Sequence, residues 1–357
     1  MLIAIDARFY GTENTGLGRY TQNVLAHFFE KDDTNEYIVF VTPKYARLIF
    51  PGRVKVVPIN VRHYTLAEQL VIPYLLLKYR AELLYTLHFN APIFCPVPLV
   101  ITIHDLIKTH FQDIATSTHG HLAFAIKRWG YRTVMGAVIA NAKNIIVPSV
   151  AVKSDILTAY PDAVGTKIIP IHEAVDSFFV NSAPKIIAKP KIFSSLFNLL
   201  FVGNAYPHKN LTNLLSAFTI LRREGDYHLT ILSKKTPFLA SALKKLNPID
   251  RPFVAVDEDV SDKALLRHYT TTGVLVVPSF MEGFGLPALE ALSVGTPVAA
   301  SDIPVFREVY GKHVTYFNPF DALSMVKGIK QALGNGVIYQ YPRTWGQVAT
   351  EIRKVLL

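Results

Sequence analysis

The chain alternates short, continuous apolar runs with longer segments of helical period, and it does so twice over. Leu2–Asp6, Tyr37–Thr42, Val54–Pro58, Glu82–Thr86, Leu99–Ile103, Asn144–Val147 and Lys167–Ile171 punctuate the first half. Leu199–Gly203, His228–Leu232, Phe253–Val256, Val274–Val277, Pro297–Ser301 and Val314–Phe317 punctuate the second. Most of these runs are unbroken. A strand with one wet face alternates apolar and polar residues, whereas a strand covered on both faces does not, so the runs predict parallel sheets sandwiched by helices. Leu211, Leu214, Leu215, Phe218 and Leu221 share one helical face and predict a helix over 210–222. Another starts after Ser261, an N-cap type, with Asp262 in its first turn.

Two such halves predict an α/β protein of two doubly wound domains, since 357 residues are long for one core. The expected boundaries are 1–182 and 198–340, with a linker over 183–197 and a closing helix in 341–357, at Trp345–Leu357. Asn181–Lys191, rich in Lys, Ala and Pro, reads as exposed linker. Ligands of doubly wound sheets bind beyond the carboxyl ends of the strands, so two sheets facing across a cleft put the site in that cleft.

Composition narrows the function classes. A single cysteine, Cys95, excludes an internal disulfide framework or a Cys-rich zinc site and fits a reducing compartment. The opening MLIAIDARFY lacks a basic leader before an apolar run and reads as a buried strand rather than a secretory signal. The longest apolar candidate for a membrane span, Val134–Ala142, is stopped by Lys143, well short of about 18 residues. The formal charge of +10 favours anionic partners. With Lys and Arg scattered and no nucleic-acid motif, it fits a generic basic surface or one meeting anionic lipid. Lys127, Arg128 and Arg132 form a basic helical region open to both readings.

The densest chemistry lies in Pro278–Glu290. Gly283 and Gly285 leave backbone N–H groups accessible, and Pro287 suits the first turn of a helix. A helix N-terminus there is a ready site for a diphosphate. Glu282 and Glu290 flank it, and carboxylates accept hydroxyl hydrogen bonds. In Phe201–Asn210 a strand runs out through Gly203 and Asn204 to Lys209, a point charge for phosphate at the next helix start. Thr15-Gly16-Leu17-Gly18 follows the first strand without the full dinucleotide fingerprint. His104-Asp105 ends another strand.

Glu282 and Glu290 enclose seven residues, and this resembles the E-x7-E motif of the retaining glycosyltransferases of family four. Gly295–Ser301 is similar to that family's next strand entry. The resemblance covers nearly the whole chain and is strongest over Leu199–Pro304. It implies the GT-B fold, two Rossmann-like domains with the donor held mostly by the second and the acceptor side in the first. It implies that Glu282 contacts donor sugar hydroxyls and that Glu290 holds the nucleotide ribose. Amides at Phe284, Gly285 and Leu286 meet the sugar or diphosphate, and Lys209, with Gly203 and Asn204 beside it, meets the diphosphate. Gly16 lets the backbone approach donor phosphate or acceptor, and His104 lies beside the donor sugar with Asp105 orienting it. Glu282, His104 and Lys209 form the expected catalytic set. Many members carry Arg where this chain has Asn204, and a neutral amide stabilises a departing phosphate less.

The reaction so implied moves a hexose from a nucleoside diphosphate sugar to a saccharide or lipid-linked saccharide hydroxyl, with retained configuration. No residue reads as a general base; the departing diphosphate oxygen is expected to take the acceptor proton. Pro207-His208-Lys209-Asn210 resembles bacterial mannosyltransferases of envelope polysaccharides, which favours GDP-mannose, with UDP-glucose next. No cofactor or metal is expected: the D-x-D in Asp257-Glu258-Asp259 precedes a helix, where acids are ordinary. The expected setting is cytoplasmic, peripheral on the inner membrane face, with no nucleic acid. A sugar-nucleotide epimerase of the same fold, or a nucleotide-sugar binder with degenerate catalysis, remain the alternatives. The first would release an epimerised donor without acceptor; the second would bind donor without turnover.

Overall fold

The computed structural model of the chain describes residues 1–30, 32, 34–111, 121–187 and 197–357, without the side chains of 121–127 and 183–187. These residues form two compact units. One holds Met1–Thr109, Gly120–Ala174 and Arg343–Leu357; the other holds Val175–Pro342 and the short segment from His110.

The first unit is built on a parallel sheet of β1 Leu2–Asp6, β2 Glu36–Val41, β3 Val54–Pro58, β4 Leu83–Thr86, β5 Leu99–Thr102, β6 Asn144–Val147 and β7 Ile168–Pro170. Its order is β3-β2-β1-β4-β5-β6-β7, with Ile3 level with Tyr37 on one side and Leu83 on the other. The helices are α1 Thr15–Phe28, α2 Leu66–Tyr79, the single turn α3 Ile107–His110, α4 His121–Asn141 and α5 Val150–Ala159. All four residues of β4 are buried, yet they part by alternation. Leu84 joins Ile101, Ile72 and Met135 on one face; Leu83 and Tyr85 join Val100, Val24 and Phe28 on the other. The unbroken apolar run in the sequence is thus two cores read through one strand.

The second unit repeats the plan with β8 Asn198–Val202, β9 His228–Leu232, β10 Val254–Asp257, β11 Val274–Val277, β12 Val298–Ser301 and β13 Thr315–Phe317, in the order β10-β9-β8-β11-β12-β13. Its helices are α6 Ser177–Ile187, α7 Leu211–Glu224, α8 Pro237–Lys244, α9 Asp262–Thr271, α10 Leu286–Ser293, α11 Pro304–Tyr310 and α12 Ala322–Ala332. The five apolar residues used to predict α7 are all buried. Ser261 caps α9, its hydroxyl accepting from the Ala264 N–H at 3.3 Å.

In each sheet the winding reverses between the first strand and the fourth, at β1/β4 and at β8/β11. Loops leaving those two strands part to opposite faces, and the crevice so formed is where doubly wound sheets bind ligands.

One expectation needs correction. Asn181–Lys191 reads as linker, but α6 runs through Ile187. Asp176 starts the helix by accepting the Phe178 N–H at 2.9 Å, and buried Phe179 anchors it against the Tyr269 ring at 5.9 Å. Residues 188–191, and the linker positions up to 196, lie outside the described residues.

The helix expected at Trp345–Leu357 forms α13 Trp345–Leu356 and belongs to the first unit. Thr344 and Gln347 make a reciprocal capping box at its start. Trp345, Val348, Ala349, Ile352 and Leu356 complete the core around Tyr20 and Val24 of α1. Arg353 holds the Phe28 carbonyl at 3.0 Å, and the Val355 carbonyl accepts from Asn144 at 3.0 Å.

Candidate functional site

In the second unit, the loops leaving β8 and β11 are tied to each other. Asn210 sits in the left-handed region (φ 57°) at the start of α7, buried, and its amide donates to the carbonyls of Pro278 at 2.9 Å and Pro319 at 2.8 Å. The Phe280 N–H donates to the His208 carbonyl at 2.8 Å. These bonds fix the Pro207–Lys209 turn against the loop that carries Glu282.

The result is an ion pair at the switch point. Lys209 Nζ lies 2.5 Å from Glu282 Oε1, and the Ser279 hydroxyl donates to that same oxygen at 2.7 Å. Burial pushes the Glu282 carboxyl up, but the charges of Lys209 and His208 and the two hydrogen bonds outweigh it, so its pKa is lowered and the group stays ionised. Both bonds fall on Oε1; Oε2 has no hydrogen-bond partner among the described residues. The Lys209 ammonium spends one of its three N–H donors on Glu282.

Beyond the pair, Gly285 (φ +98°) is the N-cap of α10, and no side chain caps that helix. Its first N–H groups therefore have no acceptor within the helix. An added Cβ at Gly285 would fall 2.0 Å from the Tyr310 hydroxyl, which donates to the Gly285 carbonyl at 2.7 Å. Both backbone angle and packing require glycine here. Phe284 is buried, edge-on to the Tyr341 ring at 5.9 Å. Glu290 is buried in α10 and accepts from the Tyr269 hydroxyl at 2.8 Å. Gly203 needs its glycine for a φ of +134°. Asn204 accepts from the Lys234 N–H at 3.3 Å and so links the β8 loop to the β9 loop.

In the first unit, Gly16 opens α1 just after Thr15, which holds a strained φ of 56° for a β-branched residue. An added Cβ at Gly16 would meet nothing within 4 Å, whereas one at Gly18 would strike the Gly11 carbonyl at 1.8 Å. Packing within the chain thus demands glycine at 18 and leaves 16 open. His104 Nε2 lies 2.9 Å from the Leu87 carbonyl, its Nδ1 lies 3.6 Å from Glu173, and the Tyr20 ring of α1 meets it edge-on at 4.5 Å. Burial disfavours the imidazolium, but Glu173, the Leu87 carbonyl and Asp105 outweigh it and raise the pKa. The expectation that Asp105 orients His104 is corrected. Asp105 caps the Ile107 N–H at 2.9 Å, because a carboxylate two residues ahead of a helical turn reaches its free N–H first. Glu173 and Leu87 orient the ring instead, and their sequence distance from His104 hid them.

Asp257 lies 3.4 Å from His268 Nε2 and Glu258 pairs with Lys235 at 2.5 Å, so two acids of the D-x-D stretch have partners within the protein. Among the described residues no three His, Cys, Asp or Glu side chains are grouped to hold a metal ion. None of the described helices is long and apolar enough to cross a membrane.

Residues 182–351 match the family model described as glycosyl transferases group 1. The O-antigen chain mannosyltransferase RfbU of Salmonella typhimurium is 30% identical over 231 residues, covering 64% of this chain and 59% of that protein. The serotype-specific mannosyltransferase WbdA of Escherichia coli is 32% identical over 169 residues, covering 44% of this chain and 21% of that protein. The matched stretches thus span less than two thirds of either relative. Among solved structures, Anabaena Alr3699/HepE in complex with UDP and glucose aligns over 99% of this chain and 98% of its own, at a TM-score of 0.69 and 14% identity. The chain therefore has the GT-B fold, and its residues 182–351 are similar to the group 1 glycosyl transferases.

Proposed function

We infer that the chain transfers a mannosyl group from GDP-mannose to a saccharide or lipid-linked saccharide hydroxyl, with retained configuration and without a metal. The observation that carries this reading is the Lys209–Glu282 pair, ionised, tied to the switch point, and with Oε2 of Glu282 uncommitted. An ionised carboxylate with one free oxygen suits a donor sugar hydroxyl. Two spare ammonium donors beside the uncapped start of α10 suit a diphosphate that gains charge as it departs. Mannose is preferred because RfbU and WbdA are mannosyltransferases by name. In this reading the amides of Phe284, Gly285 and Leu286 meet the sugar or diphosphate. Glu290 holds the ribose, with Tyr269 steadying its other oxygen. Gly203 and Asn204 shape the phosphate loop, Gly16 gives close backbone approach, and His104 contacts the donor sugar. Leaving-group stabilisation and positioning do the catalytic work, and the departing oxygen takes the acceptor proton.

A panel of nucleotide sugars tested by thermal shift decides the donor, because a specific ligand raises apparent stability by mass action. GDP-mannose is expected to give the largest shift, and Glu282→Ala is expected to abolish transfer while leaving the unfolding midpoint in place. Absence of a shift with every nucleoside diphosphate, or full activity of Glu282→Ala, overturns the reading.

A further inference from the structure

Helix α2 is apolar on two sides. Ile72, Leu75 and Leu76 enter the core of the first unit, and Glu68 is buried with them. Leu66, Leu70, Tyr74 and Leu77 fall on the other side, spaced at i, i+4, i+8 and i+11. Phe94 extends the same surface. Gln69 of α2 ties the neighbouring segment down through the Ala91 carbonyl (3.3 Å) and the Ile93 N–H (2.8 Å), and Pro73 and Phe94 line one cavity. These five side chains are between 61% (Tyr74) and 87% (Phe94) exposed. At the rise of an α-helix the stripe is about 16 Å long.

A lone exposed leucine is ordinary; a contiguous stripe on a helix whose opposite side is already packed is not. The surrounding charge says what covers it. Arg62 is exposed at the entry to α2, and Lys55, Lys78 and Arg80 are exposed near its exit. Lys143, also exposed, lines the cavity with Phe94. Between residues 54 and 80 the only acid is Glu68, which is consumed by Arg8, Asn90 and the Tyr64 N–H. Between 121 and 153 there is none. On α4, Arg128 and Arg132 are exposed, and the Lys127 side chain lies outside the described residues. A second copy seated symmetrically on this stripe would bring the same cations together, which is unfavourable. An anionic lipid surface answers both the apolar stripe and its cationic surround. At 14 residues α2 is too short to span a bilayer and long enough to lie along one.

We propose that α2 is an interfacial anchor: Leu66, Leu70, Leu77 and Phe94 enter the acyl boundary of an anionic membrane while Arg62, Lys78 and Arg80 meet headgroup phosphates. This rests on the glycosyltransferase reading only in its purpose, which is to hold the chain at a surface bearing a lipid-linked acceptor.

Co-sedimentation of the full chain with phosphatidylcholine vesicles, with and without phosphatidylglycerol, tests it. Binding is expected only with the anionic lipid and should weaken with salt. Leu70→Ser with Leu77→Ser should weaken binding by about tenfold or more. Lys78→Gln and Arg80→Gln should each cost about fivefold and flatten the salt dependence. The indole introduced by Tyr74→Trp should shift its emission to the blue when vesicles are added. All five positions are exposed, so unfolding midpoints should stay put. No sedimentation, together with an unshifted emission in the Tyr74→Trp variant, overturns the proposal. So does leucine-dependent dimerisation in gel filtration without vesicle binding, which would make the stripe a self-contact. Donor binding, measured in parallel by thermal shift, separates the two readings: vesicle binding without donor binding leaves the anchor and removes the transferase, and the converse does the opposite.

Discussion

Each sheet sends a cation out beyond its first strand, and the two cations are used differently. Arg8, just past β1, is gripped by Asp6 through two bonds of 2.8 and 2.6 Å, by Glu68, and by the Val61 carbonyl at 3.2 Å. Glu68 in turn accepts from Asn90 at 2.6 Å and from the Tyr64 N–H at 2.9 Å. Arg8, Asp6, Glu68 and Asn90 are all buried, and the guanidinium fork is committed to the protein. Lys209, beyond β8, holds one carboxylate oxygen and remains partly open to solvent. The same topological position thus serves as a structural lock in one unit and as a half-committed charge in the other. A saturated network specifies structure; a charge with donors to spare can act on a ligand.

The contrast breaks most sharply at Arg8. Arg8→Met would leave Asp6 and Glu68 buried without their cation, and should cost about 3–5 kcal/mol of stability, read as a lower urea midpoint. A midpoint within error of the parent would show that the network is not a lock. Lys209→Met should do the reverse. Its midpoint should move by less than that of Arg8→Met, because Lys209 is partly open to solvent and Ser279 still holds Glu282 Oε1, while kcat for transfer falls by about a hundredfold to a thousandfold if Lys209 has the proposed role of stabilising leaving-group charge. Equal losses of stability in the two variants would erase the distinction.

A smaller effect sharpens it within the first unit. The pKa of His104 is raised above its unfolded value, so its charged contact with Glu173 contributes fully below the unfolded pKa and is lost as pH rises through the folded one. His104→Gln should therefore lose about 1 kcal/mol in mildly acidic buffer and much less near pH 9, measured as the difference in urea midpoints. A pH-independent loss would assign the ring to packing against Tyr20 instead. The smallest effect expected is at Asn204. Asn204→Arg adds a second cation to the loop leaving β8 at the cost of the tie to the Lys234 N–H, and should raise kcat by a few-fold at most. A large gain would mean that leaving-group charge, rather than positioning, limits the reaction.

The strands were legible because burial on both faces leaves a plain signal. Leu2–Asp6, Asn144–Val147, His228–Leu232 and Val274–Val277 are read from the sequence with the bounds they have in the structure. The edges slipped where turn chemistry decides: Phe253 ends a turn begun at Arg251-Pro252 rather than starting β10. On the site, the loop motifs located Glu282 and Lys209 because each lies in a local pattern of glycine, proline and strand end. Their contact did not show, since it spans 73 residues and depends on Asn210 stitching two loops. Asn210 closes the Pro207–Asn210 stretch, and an asparagine at a helix start, able to take a positive φ, is the signal the sequence offers for it. Ser279, Tyr269 and Glu173 carry no such mark, because their parts are set by tertiary neighbours alone.

The docking of α13 on α1 has a consequence for biosynthesis. Residues 343–357 belong to the core of the first unit, although the whole of Val175–Pro342 is translated before them. On the ribosome the second unit can finish its sheet while the first still lacks Trp345, Val348 and Ile352 and exposes the apolar side of α1. The unit made first is therefore completed last, and a stalled or clipped chain ending near residue 342 would present that unclosed face to chaperones and proteases.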